Sequence, residues 1–284
     1  MSSGEVRPGS RVPACECQQG PAAAYPDPVP DPDIAPGPHV AGAGTGATAA
    51  PLAEPRWGIG EVFLGWLAAL TGGAIMAQLV FEISGKESDD WSLGLVALAQ
   101  TGLWAGLAGA PYLAGRFKGN GMVRDFGLRE SRRDLLPDLL NGGFWGLFSQ
   151  WVMIPLLYVP VLLLTDIDGD DLTKTARELT DRASGPFSVV MLVLIVGIGA
   201  PIFEELFYRG LVLRAVEKRF GTVVAVVSSG IFFGVAHLNA PLLMPGLAAF
   251  GIVLGVLTVR SGRLGPAIAA HLAFNMATVV AMLT

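Results

Sequence analysis

Two adjacent carboxylates, Glu204 and Glu205, stand at the end of an apolar run that begins at Phe187. An ionised group at the centre of a bilayer costs a few kcal/mol or more, so such groups persist there mainly when paired or functional. Arg209 follows Glu205 by four residues, which on a helix puts both on one face within salt-bridge reach. Glu204 points about 100° away and has no such partner in this segment. Two of the three histidines in the chain also sit inside apolar segments. His237 ends Ile-Phe-Phe-Gly-Val-Ala-His, one helical turn after Phe233, and His271 opens His-Leu-Ala-Phe-Asn, one turn before Asn275.

These residue types permit a defined chemistry. A glutamate and a histidine on two sides of one water can take and pass its proton, making a nucleophile at neutral pH. A second histidine and an asparagine amide can stabilise charge on a carbonyl oxygen as it becomes tetrahedral. Glu204, His237 and His271 read equally as three zinc ligands that leave one position open for water. Either arrangement hydrolyses an amide in or beside the bilayer. Each piece alone has a plainer reading: a packing histidine, a structural Glu205–Arg209 pair, and Asn275 as interhelical glue. Their joint occurrence in the last four apolar segments favours catalysis.

The elements that position them are membrane helices. The 284 residues are 52% hydrophobic and only 15% charged, where a soluble domain carries about a quarter charged. Apolar runs at 58–83, 92–114, 139–164, 187–208, 222–238, 242–259 and 265–283 approach the ~20 residues needed to cross a bilayer. No strand-like alternation is sustained, which argues against a barrel. The expected fold class is all-α, a polytopic integral membrane bundle of about seven transmembrane helices spanning 57–284. Lys218-Arg219-Phe220-Gly221 reads as the turn of a helical hairpin, with another loop centred on Gly262. Glu204 and His237 each lie about 17 residues from Gly221, so ideal helices would place them at one level, ~25 Å from the turn.

Charge gives an orientation. Arg116, Lys118, Arg124, Arg129, Arg132 and Arg133 fall between the second and third spans; Arg214, Lys218 and Arg219 follow the fourth; Arg260 and Arg263 follow the sixth. The alternate loops carry little net positive charge, so the N-terminus is expected in the cytoplasm and the C-terminus outside. Membrane lipid, anionic along the basic 115–138 loop, is the expected partner. A net charge of -5 gives no support to nucleic-acid binding. Residues 1–56 hold eleven of the 20 prolines and few bulky apolar residues, so a disordered cytoplasmic tail is expected there. Cys15 and Cys17 lie within it, with only His39 near; a zinc site needs more ligands, so tail thiols are the simpler reading.

Three motifs in chain order carry a resemblance. Glu204-Glu205-Leu-Phe-Tyr-Arg209 fits Glu-Glu-x-x-x-Arg, Phe233-Gly-Val-Ala-His237 fits Phe-x-x-x-His, and His271-Leu-Ala-Phe-Asn275 fits His-x-x-x-Asn. Residues 187–284 thereby resemble the CAAX protease and bacteriocin-processing family of intramembrane endopeptidases, related to the Ras and a-factor converting enzyme. The resemblance implies that Glu204 and His237 activate water, that His271 and Asn275 form the oxyanion pocket, and that Glu205 and Arg209 position the first glutamate. It implies a peptide or protein substrate, membrane-associated or lipidated, and a bacterial cell membrane as location. Family members are widely labelled metalloproteases, so zinc stays open. The sequence ends Ala-Met-Leu-Thr and is not expected to be a CAAX substrate itself. The other readings are a non-catalytic immunity or scaffold protein on the same fold and a proton-coupled transporter. For the latter, crowding of the polar residues into the second half, without inverted-repeat symmetry, is unfavourable.

Overall fold

In hydrocarbon every backbone N–H and C=O must find a partner within the protein, so long apolar runs close their hydrogen bonds on themselves as helices. A computed structural model shows this outcome; it describes residues 54–128 and 132–284. Cys15, Cys17, His39 and nearly all of the Pro-rich segment lie outside the described residues. Among the described residues all regular structure is helical.

α1 (Ile59–Ser84) and α2 (Leu93–Lys118) form an antiparallel pair. A Cβ on Gly72 would stand 2.6 Å from the Gly102 carbonyl oxygen, so the two backbones touch where glycine leaves room. A short α3 (Met122–Asp125) follows. α4 (Arg132–Phe148) runs through a π-helical stretch, Ser149–Met153, into α5 (Ile154–Leu164). α6 (Gly169–Thr180) was not anticipated; Asp168 caps it by accepting from the Asp170 and Asp171 amides, the one local signal of its start.

The fourth apolar run is longer than expected. It comprises α7 (Pro186–Leu192), a π-helical stretch Val193–Gly199, α8 (Ala200–Glu205), a second π-helical stretch Leu206–Val212, and α9 (Leu213–Phe220). Gly221, at φ 81°, turns the chain into α10 (Thr222–Val235), as its left-handed backbone requires. A 3-10 turn at Pro241–Leu243 leads to α11 (Met244–Ser261); Gly262, at φ 71°, ends it before α12 (Gly265–Leu283).

Among the described residues six helical runs are long and apolar enough to cross a membrane, and α10 is a shorter seventh. At 14 residues it spans only ~21 Å. It ends before residue 238, and His237 lies beyond its last turn rather than on the helix. Large apolar side chains such as Phe63, Leu156 and Leu163 face outward, the pattern of a surface bathed in acyl chains. The protein's own core gathers Phe207, Leu211, Phe233, Phe250 and Leu254 around the middle of the fourth run.

Candidate active site

The site is built on the two π-helical stretches that flank α8. In the first, the Ala200 N–H reaches back to the Ile195 carbonyl, five residues earlier. Continuing that pattern, the next donor would be residue 201, which is proline and has no N–H. The Val196 carbonyl is thus left without its backbone donor inside the membrane. Asn275 on α12 fills the gap, its Nδ2 donating to the Val196 oxygen at 2.8 Å.

Glu205 and Arg209 are fully buried and joined at 2.9 Å. Taking two charges out of water costs several kcal/mol each, which a bare pair does not recover. Here Arg209 also donates to the Gly251 carbonyl at 2.9 Å and lies 4.6 Å from the centre of the Phe233 ring. Even so, Glu205 Oε2 and Arg209 Nε are buried with no hydrogen-bond partner among the described residues. A pair satisfied only in part is a poor device for stability alone, so a functional reason for it is indicated.

That reason is His271. Its Nδ1 lies 2.8 Å from the same Glu205 oxygen that meets Arg209. Glu205 Oε1 already accepts from Arg209, and as an acceptor toward the imidazole it places a proton on Nδ1. Nε2 faces Glu204 Oε2 at 3.8 Å, beyond direct hydrogen bonding. The Glu204 side chain is 17% exposed against 0% for Glu205, so one carboxylate is sealed in and its neighbour is reachable.

His237 is half-buried past the end of α10, with Nδ1 against the Phe233 carbonyl at 2.8 Å. A carbonyl only accepts, so Nδ1 holds the proton and Nε2 is the free basic nitrogen. The Phe233 ring touches both imidazoles, with centroids 4.9 Å from His237 and 5.4 Å from His271. Among the described residues, Glu204 lies within ion-pair distance of His271 and not of His237. The equal-level placement from ideal helices also shifts. Ser229 Oγ donates to the Tyr208 carbonyl at 2.9 Å, which fixes the register of the hairpin. Counted from that bond, Glu204 stands opposite Phe233, and His237 lies about one turn beyond. The π-helical stretch Leu206–Val212, with its wider turns, supplies part of that shift.

Sequence reasoning missed the backbone acceptors at Val196 and Gly251, which no side-chain pattern announces. It also missed Tyr158 on α5, 5% exposed. The Tyr158 hydroxyl donates to the Leu242 carbonyl and accepts from the Gly246 amide, so it pins the loop between His237 and α11. Among the described residues no group of three or more His, Cys, Asp or Glu side chains is placed to hold a metal ion. His237 and His271 each have one ring nitrogen engaged within the protein and the other left over, which is also how metal-ligating histidines are held.

The family described as type II CAAX prenyl endopeptidase Rce1-like matches residues 186–277. This stretch is well under half of the chain, yet it contains all six polar residues, both π-helical stretches around α8, and Phe233. It agrees with the resemblance carried by the three motifs. No curated protein and no solved structure matches the chain.

Proposed function

We propose that this protein is an intramembrane endopeptidase that hydrolyses membrane-associated or lipidated peptide substrates by a side-chain-activated water. The observation that carries the reading is Glu204 held beside His271, which is itself oriented by a buried Glu205–Arg209 pair. With a proton on His271 Nε2, Glu204 is a free base and Nε2–H is a donor. A water beside Glu204 gives up a proton to that carboxylate as its oxygen bonds to the peptide carbonyl carbon. His237 Nε2, free to accept, holds the other side of the water. Charge growing on the carbonyl oxygen is met by His271 Nε2–H and by the second N–H of the Asn275 amide. Collapse of the tetrahedral carbon breaks the C–N bond, and Glu204 returns its proton to the departing nitrogen. The basic helix ends face the cytoplasm in this reading, and the surrounding lipid holds the substrate.

The test is a lipid-anchored peptide library in vesicles containing the purified protein, run in water enriched in heavy oxygen. Mass spectra should show cleaved products with one heavy oxygen in each new carboxylate, with or without a chelator. Absence of cleavage, or products without the label, contradicts hydrolysis; loss of cleavage on chelation contradicts the metal-free route.

A further inference from the structure

At the basic end of α2 the chain leaves the helix, turns through Gly119–Gly121 and enters α3. Between helix and turn lies a cleft of about 380 Å³ whose lining includes both Arg116 and Arg124. We propose that this cleft binds the phosphate headgroup of an anionic phospholipid. The inference is independent of the peptidase reading.

The turn is rigid. Gly121 adopts φ 99°, a conformation that disfavours any side chain, and its amide bonds the Gly115 carbonyl at 3.0 Å. Asp125 accepts from the Asn120 amide at 2.9 Å and from Trp57 Nε1 at 3.0 Å. The Asp125 carboxylate is therefore engaged behind the turn, and among the described residues the lining carries two cations and no carboxylate. Lys118 is likewise occupied by Glu61. Arg116 and Arg124 are exposed and form no ion pair among the described residues. Two guanidiniums lining one cleft match the oxygens of a phosphate diester, which planar N–H forks bind in pairs.

The walls select a lipid over a free phosphate. Tyr112 is 54% exposed and Val123 52%, and both line the cleft with the arginines. Tyr112 lies one turn before Arg116, toward the apolar middle of α2, where an acyl chain descending from the headgroup would lie. The end itself is where basic residues gather: Lys218 bonds the Trp57 carbonyl at 3.0 Å, and Arg214 bonds the Gly262 carbonyl at 3.1 Å.

The experiment is native mass spectrometry of the full chain in neutral detergent, titrated with phosphatidylglycerol or phosphatidylcholine. The wild type should retain phosphatidylglycerol preferentially. Arg116→Gln/Arg124→Gln should weaken that retention by about 25-fold, near fivefold per arginine, and leave phosphatidylcholine unaffected. Arg219→Gln/Arg260→Gln removes the same charge from exposed positions at the same end and should cost little. Glycerol 3-phosphate in excess should not displace the lipid. If the double variant does not fold, Arg124→Gln alone should still show the fivefold loss. Equal losses in the two double variants, meaning a diffuse basic surface, would overturn the proposal. So would displacement by glycerol 3-phosphate.

Discussion

Glu204 and Glu205 are neighbours in the chain with opposite surroundings. The side chain at 205 is sealed between Arg209 and His271, and the one at 204 is partly open and meets only the far side of the same imidazole. Half of this was legible: the four-residue spacing of Glu205 and Arg209 predicts their pair, and the helical angle predicts that Glu204 diverges. The two-sided hold on His271 was not, because it joins residues 66 positions apart and depends on how α12 packs. Arg209→Met leaves a buried, unpaired carboxylate and should destabilise the protein by about 3–5 kcal/mol, read as a lowered unfolding midpoint in detergent. Glu205→Leu/Arg209→Met removes both charges and should recover most of that stability. It should still fail to cleave, since nothing then holds the His271 tautomer. Recovery of cleavage along with stability would reduce the pair to a packing device.

At the scale of elements, the site depends on departures from ideal helix. Apolar composition locates the spans and the glycines locate the turns at Gly221 and Gly262. Composition is silent on π-helical stretches, which use the same residues as an α-helix. Pro201 was visible as a missing donor, yet the carbonyl it orphans depends on the local five-residue hydrogen bonding. Asn275→Ala should leave the Val196 carbonyl unsatisfied and cost about 1–3 kcal/mol in unfolding free energy. An unchanged midpoint would show that the Asn275–Val196 bond has no structural weight. Tyr158 ties α5 to the loop that follows His237 from outside the stretch matching the peptidase family. Tyr158→Phe removes both the hydrogen bond donated to Leu242 and the one accepted from Gly246. It should lower kcat several-fold at constant KM by loosening His237, in proportion to the ~1 kcal/mol of a typical hydrogen bond. A change in KM alone would assign Tyr158 to substrate binding instead.

For the whole molecule, the two halves of the chain are joined at the basic end. Arg263 meets Asp138 of α4 through two bonds, at 2.6 and 2.8 Å, across 125 positions of sequence. Arg182 bonds the Ser88 carbonyl at 3.0 Å at the opposite end, so the two membrane faces of the bundle are each cross-tied. The bias of Lys and Arg between loops predicts which face is cytoplasmic. In a Cys15→Ser/Cys17→Ser background, Lys86→Cys should react with a membrane-impermeant maleimide on intact cells and Arg260→Cys only after lysis. The reverse pattern would invert the topology. The central claim is that separate helices converge to make Glu204 the base for an attacking water. Its most direct test is the single-turnover cleavage rate of a membrane-tethered peptide by Glu204→Gln, which keeps size and polarity but cannot take a proton. The rate should fall by about 10²–10⁴-fold with the unfolding midpoint unchanged; cleavage at the wild-type rate would contradict it.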